Sequence, residues 1–544
     1  MRYITQTFRW RVSKRASGRT LRGVALLTLV GALVAGCESK TPPAASTPSC
    51  ETLATASLPG LTIAEAKTVA AGAFTPPAPA GGNAPAPTAF SDLPAFCRVV
   101  GTLKSGEKTE ARVEFWLPAE GWNGDFQPAG SSFWGGSIPY GRMRELLKTG
   151  VATAASNLGH DGTGPSFAMA NPEMMKDLGN VPFHDLLDRG KVLINTYYSK
   201  GPTFTYMDEC GGGGSRDALA EVQRHPKDLD MAAAVGFTNY GTHHGVAHMW
   251  VYNATHKSPA SYIPGSKYQL IHDAALAACD MKDGVKDGVI EDPPRCGFDP
   301  GTLTCKGGDK PDCLTAPQVT AVRTIYATPV HARTKATIYG SMPPGSEMGW
   351  DEMAGPVPYP YSVTFYKYLV FKDEKWDYKT RPVNFDEDLD KADAPENFVI
   401  NTLEADISPF IDNGGKLLLV GGWNDHTLGP GNNVDYYESI LKKLGPEKIK
   451  DSVRLFMVPG MDHCFGDAYG PDKRWPTIYA TYFDTVGALK AWKTSGKAPD
   501  TIVVTTKGKE GERKRLVCAY PQVSMYRGTG STDDPANFVC QMPT

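Results

Sequence analysis

The chain has 544 residues, 41% hydrophobic and 21% charged, with 57 glycines and 43 prolines, the composition of a loop-rich globular protein with room for a sizeable core. Its formal net charge of −3 conceals an asymmetry: residues 1–36 hold seven Lys/Arg and no acid, so without them 49 basic residues face 59 acids, a net −10. An acidic body without a basic stripe excludes nucleic acid as the expected partner.

Residues 1–36 read as an export signal. The basic stretch runs into the apolar "VALLTLVGALVAG", too short to span a bilayer and built like a signal h-region. It ends in "LVAG" before Cys37, which matches the lipoprotein type of signal, in which the cysteine takes lipid chains. Glu38 gives no inner-membrane retention signal, so an outer-membrane lipoprotein facing the periplasm or the surface is expected. The only membrane contact is then the lipid anchor. Residues 37–49, containing "ESKTPPAASTPS", read as a flexible tether.

From about Phe96 to Phe237 the pattern alternates. "ARVEFWLP" and "GVATAASN" read as strands, and "FHDLLDRGKVLINTYY" carries apolar residues at helical spacing. "FTYMDEC" reads as a strand that leads into four glycines, and "SRDALAEVQRHP" as a helix stopped by Pro226. Such alternation predicts βαβ units and a largely parallel sheet. From about Thr238 to Phe410 it dissolves into Pro-, Gly- and Tyr-rich sequence. It resumes with "GGKLLLVGGWND", a helix "VDYYESILKKLG", a strand "SVRLFMVPG" and a helix "ATYFDTVGALKAWKTSG". The expected organisation is a core in two parts, residues 50–236 and 411–544, interrupted by a lid over residues 237–410. Open α/β sheets place their sites at the edge such a lid would cover.

Two strand ends carry polar groups. Asp425 follows "KLLLV" and His463 follows "RLFMV". With a nucleophile near residues 211–215, the order nucleophile, acid, histidine is that of an α/β-hydrolase triad. A serine hydroxyl needs a neutral imidazole to accept its proton, and a buried carboxylate to fix the imidazole tautomer. The eleven cysteines leave ten once Cys37 is set aside; five disulfides would consume them, as expected of an exported protein. "CDMKDGVKDGVI" sets Asp280, Asp283 and Asp287 at close spacing, with Val285 and Val289 able to offer only carbonyls. Hard oxygen donors in a glycine-containing loop suit calcium. The cluster His243, His244 and His248 has no zinc-motif spacing and is not expected to bind metal.

"GVATAASNLGHDGTG", "NPEMMKDLG", "YMDECGGGGSRDALAEVQRHPKDLD", "AACDMKDGVKDGVIEDPPRCGFDP", "CLTAPQV", "GGKLLLVGGWNDH" and "VPGMDHC" together resemble the tannase and feruloyl esterase family, which includes mono(hydroxyethyl) terephthalate hydrolases. The resemblance covers most of the chain from about Cys50. It implies an α/β-hydrolase fold with a large inserted lid, acting on esters of aromatic, phenolic acids, with calcium at Asp280, Asp283, Val285, Asp287 and Val289. It also implies the disulfides Cys210–Cys464, Cys50–Cys97, Cys279–Cys296, Cys305–Cys313 and Cys518–Cys540. "QPAGSSFWGG" lies where the family supplies an oxyanion-hole amide, so the N–H groups of Gly130 and Ser131 are candidates.

One segment departs from the family pattern. The family elbow reads Gly-Cys-Ser-x-Gly-Gly-Arg, whereas this chain reads Glu209-Cys210-Gly211-Gly212-Gly213-Gly214-Ser215-Arg216. Counted from Cys210 the serine slot holds Gly211; counted back from Arg216 it holds Gly212. Three readings stay open. Ser215 attacks from a remodelled elbow, with Asp425 and His463 completing the triad. Alternatively, Ser215 only caps the helix that follows, and the protein is a silent relative that binds aromatic esters or acids at the cell surface. In the third, Ser131 or Ser132 supplies the hydroxyl. Trp134, Trp423 and "YPYSVTFYKY" could line a pocket for an aromatic acyl group.

Overall fold

A computed structural model of the protein describes residues 49–78, 87–179, 181–465, 480–508 and 511–543. The signal, Cys37 and residues 37–48 of the tether lie outside these residues, so the structure does not speak to the lipid anchor. Among the described residues, no helix is long and apolar enough to cross a membrane.

Nine strands form one sheet in the order β1-β2-β3-β5-β4-β6-β7-β8-β9. β1 (Leu61–Val69), β2 (Phe96–Lys104) and β3 (Glu110–Pro118) pair antiparallel, as do β3 and β5 (Ala152–Ser156). Beyond β5 the neighbours β4 (Asp125–Pro128), β6 (Phe204–Cys210), β7 (Met231–Val235), β8 (Lys416–Gly422) and β9 (Val453–Val458) all run parallel. The parallel half is buried on both faces, and its central strands β7 and β8 are apolar but for Lys416. The period of two decides which face each residue serves: Ala232, Ala234, Leu417 and Leu419 join one core, while Met231, Ala233, Val235, Leu418 and Val420 join the other. Crossover helices, including Val181–Tyr198 and Gly211–Arg224, follow the expected order.

The expected insertion falls between β7 and β8. It contains the helices Gly241–His256, Tyr268–Cys279 and Ala316–Tyr326. A separate cluster that includes Ile271, Val322, Trp350 and Met353 gives it a core of its own. All five expected disulfides are present. The second core segment, expected to run to residue 544, contributes only β8 and β9 to the main sheet. After them β10 (Ala480–Tyr482), β11 (Thr501–Gly508) and β12 (Gly511–Cys518) make a small antiparallel sheet, and β13 (Val523–Tyr526) pairs with β14 (Phe538–Gln541). The charged "GERKR" of β12 could not occupy a strand buried on both faces, and it places Arg513 and Arg515 beside the aspartate loop of the lid.

Candidate active site

β6 passes without a loop into the helix Gly211–Arg224, so the chain reverses at Gly211, whose φ is +83°. Only glycine adopts that region without penalty. An ideal Cβ built on Gly211 would lie 3.3 Å from His463 Nε2, the only described atom within 4 Å of it outside its chain neighbours and its own helix backbone. At Gly212 a Cβ would strike the Phe133 ring at 2.6 Å. The structure therefore chooses between the two possible slots: Gly211 stands where a nucleophile would, and it has no side chain.

Ser215 is neither nucleophile nor cap. It is the fifth residue of the helix, whose N-cap is Cys210. Its side chain is fully buried, and its hydroxyl donates to the carbonyls of Glu209 and Val235 at 2.8 and 3.0 Å. The helix begins four residues earlier than expected because the glycines, poor helix formers in isolation, are held by packing against the loop 130–133. Ser131 and Ser132 are not available either. The Ser131 hydroxyl donates to Asp217 at 2.6 Å and that of Ser132 to the Gly135 carbonyl at 3.0 Å.

The Asp–His pair forms as expected. His463 Nδ1 donates to Asp425 Oδ2 at 2.8 Å, which leaves Nε2 as the basic nitrogen of the neutral ring. The other oxygen of Asp425 accepts from the Thr427 N–H (2.9 Å), the Thr427 hydroxyl (2.8 Å) and the Leu428 N–H (2.9 Å). Burial opposes ionisation of Asp425, yet the charge and hydrogen bond of His463, with these donors, hold its carboxyl well below the usual range. For His463 burial pulls the pKa down; the charge and hydrogen bond of Asp425 outweigh it, and the result is raised. The Cys210–Cys464 disulfide, with Cα atoms 5.9 Å apart, joins the residue before the bend to the residue after the imidazole.

The oxyanion expectation is overturned at both amides. The Ser131 N–H donates to Asp217 Oδ2 at 2.9 Å, and the Gly130 N–H bonds the Glu209 carboxylate. Arg216, paired with Asp217 at 3.1 Å, donates to the Phe133 carbonyl at 2.9 Å and fixes the same loop. The amides that remain suitable are those of the first turn of Gly211–Arg224, which have no intrahelical acceptor and sit at the positive end of the helix dipole.

Several participants were missed in the sequence. His244 and His248 both bond the Thr427 carbonyl, at 3.0 and 2.6 Å, and so buttress the Asp425 loop; burial lowers both pKa values, that of His248 to about 4. Their i, i+4 spacing was the available signal. His243 instead bonds Asp393 at 2.8 Å. Of the expected aromatics, Trp134 stacks on Tyr361 (5.0 Å) next to the elbow, where Phe133, not among those expected, meets Tyr361 edge-on (4.5 Å). Trp423 lies instead among Asp292, Tyr520 and Val523.

In the lid loop closed by Cys279–Cys296, Asp280 accepts from the Asp287 and Gly288 N–H groups (3.1 and 3.0 Å), and Asp283 from that of Val285 (2.9 Å). Among the described residues Asp283 Oδ2 and Asp287 Oδ1 are buried with no hydrogen-bond partner, and burial pushes the Asp283 carboxyl up to about 6. Among the described residues only His184, His225 and Asp228 bring three carboxylate or imidazole donors within 4.8 Å of one another. The three aspartates thus do not close a site alone, and the carbonyls of Val285 and Val289 would have to complete it. Arg515 also meets Asp287, and Glu291 at 2.9 Å. Four acids against two arginines, with two orphaned oxygens, fit a hard cation.

A mixed sheet whose parallel half carries an Asp–His pair on the ends of β8 and β9, facing a sharp strand–helix bend, defines an α/β-hydrolase. The tannase and feruloyl esterase family model matches residues 97–541. An uncharacterized esterase of Xanthomonas campestris is 34% identical, covering 91% of this chain and 92% of the relative. The crystal structure of feruloyl esterase B from Aspergillus oryzae superposes with a TM-score of 0.79 at 26% identity, over 90% of this chain and 99% of that one. Tannin acyl hydrolase from Aspergillus niger, 19% identical, shares the fold with a TM-score of 0.71, over 92% and 94% of the chains. The chain belongs to the tannase and feruloyl esterase family and is by class a carboxylic ester hydrolase.

Proposed function

We propose that this esterase hydrolyses esters of aromatic, phenolic acids by direct attack of water, without an acyl-enzyme. The observation that carries the reading is Gly211: His463 Nε2 lies 3.3 Å from where a nucleophile's Cβ would be, a separation close to the ~2.6–3.2 Å reach of a base to the oxygen it deprotonates. His463 Nε2 takes a proton from water as the oxygen bonds to the ester carbonyl carbon. The first-turn amides of Gly211–Arg224 bond the developing oxyanion. His463 then returns the proton to the departing alkoxide, leaving acid and alcohol, while Asp425 holds the ring and stabilises its imidazolium. The aromatic acyl preference is supported by Phe133, Trp134 and Tyr361 beside the elbow, and by the feruloyl esterase name of the solved structure.

The test is steady-state and pre-steady-state hydrolysis of an activated feruloyl ester by the purified protein. Turnover without a burst, no labelling by a fluorophosphonate, and loss of turnover in His463→Ala are expected. A trapped acyl-serine, or turnover untouched by His463→Ala, would defeat the mechanism. A second reading, binding of such esters without turnover, is favoured by the engagement of the Gly130 and Ser131 amides by carboxylates; micromolar binding with no hydrolysis would establish it.

We further propose one calcium ion held by Asp280, Asp283, Asp287 and the carbonyls of Val285 and Val289. It would neutralise buried carboxylates and hold the lid loop, with no part in bond cleavage. Export and lipidation at Cys37 are proposed on the sequence alone, and mass spectrometry of the mature N-terminus tests them.

A further inference from the structure

Asp425 and His463 are half of a larger arrangement. Both loops carry the dipeptide Asp-His, Asp425-His426 after β8 and Asp462-His463 after β9, and the two dipeptides pair crosswise. While His463 bonds Asp425, His426 Nδ1 bonds Asp462 Oδ1 at 3.0 Å. The second nitrogen of His426 faces Glu352 Oε2 at 3.4 Å, on the lid helix Asp351–Ala354. His426 and Asp462 are 1% and 2% exposed. The His426 ring lies flat against Gly349 of the lid, where a Cβ would come 2.1 Å from Cγ, so only glycine admits it there.

We propose that His426 is a positioning residue for His463: a buried imidazolium strung between Asp462 and the lid's Glu352. A neutral ring donates from one nitrogen only, whereas both nitrogens of His426 face carboxylates; the geometry therefore calls for the cation. Among the described residues, the charged and titratable groups around it include Asp462 and Asp425 from the loops, His463 from the β9 end, His248 from the helix Gly241–His256, and Glu352. The consequence concerns Asp462. Among the described residues its Oδ2 is buried without a hydrogen-bond partner, so His426 offsets a carboxylate that no other described side chain compensates beside the imidazole of His463. A buried anion left that way is costly and raises the proton affinity of a neighbouring base. His463 is thus held on both flanks, at residue 462 through His426 and at residue 464 through the disulfide, and the first of these holds runs on into the lid.

The position of His426 is independent of whether His463 activates water; only the kinetic consequence rests on that reading. The test uses the whole mature protein with ¹⁵N-labelled histidine, following ring-nitrogen shifts through a pH titration, with His463 and His426 assigned by single substitutions. His426→Asn keeps a donor toward Asp462 but removes the charge. It is expected to raise the apparent pKa of His463 by about two units, the effect of one charge at several ångströms under an effective dielectric of about 20. The corresponding kinetic signature is about a hundredfold lower kcat at neutral pH with KM unchanged. Glu352→Gln is expected to lower the pH at which His426 loses its proton, and it serves where His426→Asn fails to fold. A folded His426→Asn with unshifted His463 titration overturns the proposal, as does a His426 titration indifferent to Glu352→Gln. If the His463 shift appears in a protein without turnover, the clasp stands and the hydrolysis reading falls.

Discussion

Replacing Gly211 by serine would put a hydroxyl at the position that faces the imidazole. The backbone there is already in the left-handed region at +83°, the conformation a nucleophile elbow imposes on its serine. The substitution costs roughly 1–2 kcal/mol of backbone strain, a small loss for a chain closed by five disulfides. The added Cβ lies 3.3 Å from His463 Nε2, and a staggered rotamer carries the oxygen one bond further into hydrogen-bond reach. In a serine hydrolase, loss of the nucleophile lowers kcat by about 10⁶. One missing oxyanion donor costs about 10²–10³, and here the Gly130 and Ser131 amides are held by Glu209 and Asp217. The expected gain for Gly211→Ser is therefore about 10³–10⁴ in kcat on an activated aryl ester, with a pre-steady-state burst of one equivalent and fluorophosphonate labelling of residue 211. A folded Gly211→Ser protein with neither burst nor label would refute the placement of the elbow against His463.

Ser215→Ala removes a hydroxyl shared between two buried carbonyls; it should lower stability by about 1–2 kcal/mol and change kcat less than twofold, read by denaturant titration and steady-state kinetics. Asp425→Asn leaves the ring without its orienting carboxylate and should cost about 10⁴ in kcat, with the fold intact by circular dichroism. Because the pKa of His463 is raised and the neutral ring is the active base, kcat/KM should climb with pH through an apparent value above 6.5. A limb at or below 6.5 would deny the coupling to Asp425. Chelator treatment should lower the melting temperature while leaving kcat of the surviving folded protein unchanged, and metal analysis should return about one calcium per chain.

The centre of the parallel core was legible because β7 and β8 are apolar on both faces, and a run such as "KLLLVGG" admits few other fates. The Asp–His pair followed from the same logic, since the ends of adjacent buried strands are neighbours however far apart in sequence. What sequence reasoning could not reach is directional. Ser215 precedes an obvious helix and looks like a cap, and only the close packing of Gly212 on Phe133 and of Gly213 on the backbone of Ser131 and Phe133 draws the helix start back to Gly211. The amides of Gly130 and Ser131 occupy the stretch a hydrolase uses, but the partners that claim them, Glu209 and Asp217, come from the strand and helix on either side of the bend, and nothing in local spacing announces which way an N–H turns.

The same distinction explains why the second Asp–His pair went unnoticed. "NDH" and "MDH" are visible as near-duplicates, yet one pair suffices for catalysis and the other has no role in a single-loop reading. Crossed pairing appears only when β8 and β9 are placed side by side, with Leu417 opposite Val453 and Gly422 opposite Val458. That parallel register brings the two post-strand loops to the same height, and two dipeptides of like order then face one another with acid opposite imidazole in both directions. A slip of one residue in the register would turn every strand side chain to the other face and would set Asp425 against Asp462. The buried alternation of Leu417–Val420 that builds the core is thus the same feature that fixes charge order at the site, so a destabilising change in β8 should be read in kcat before it is read in global unfolding.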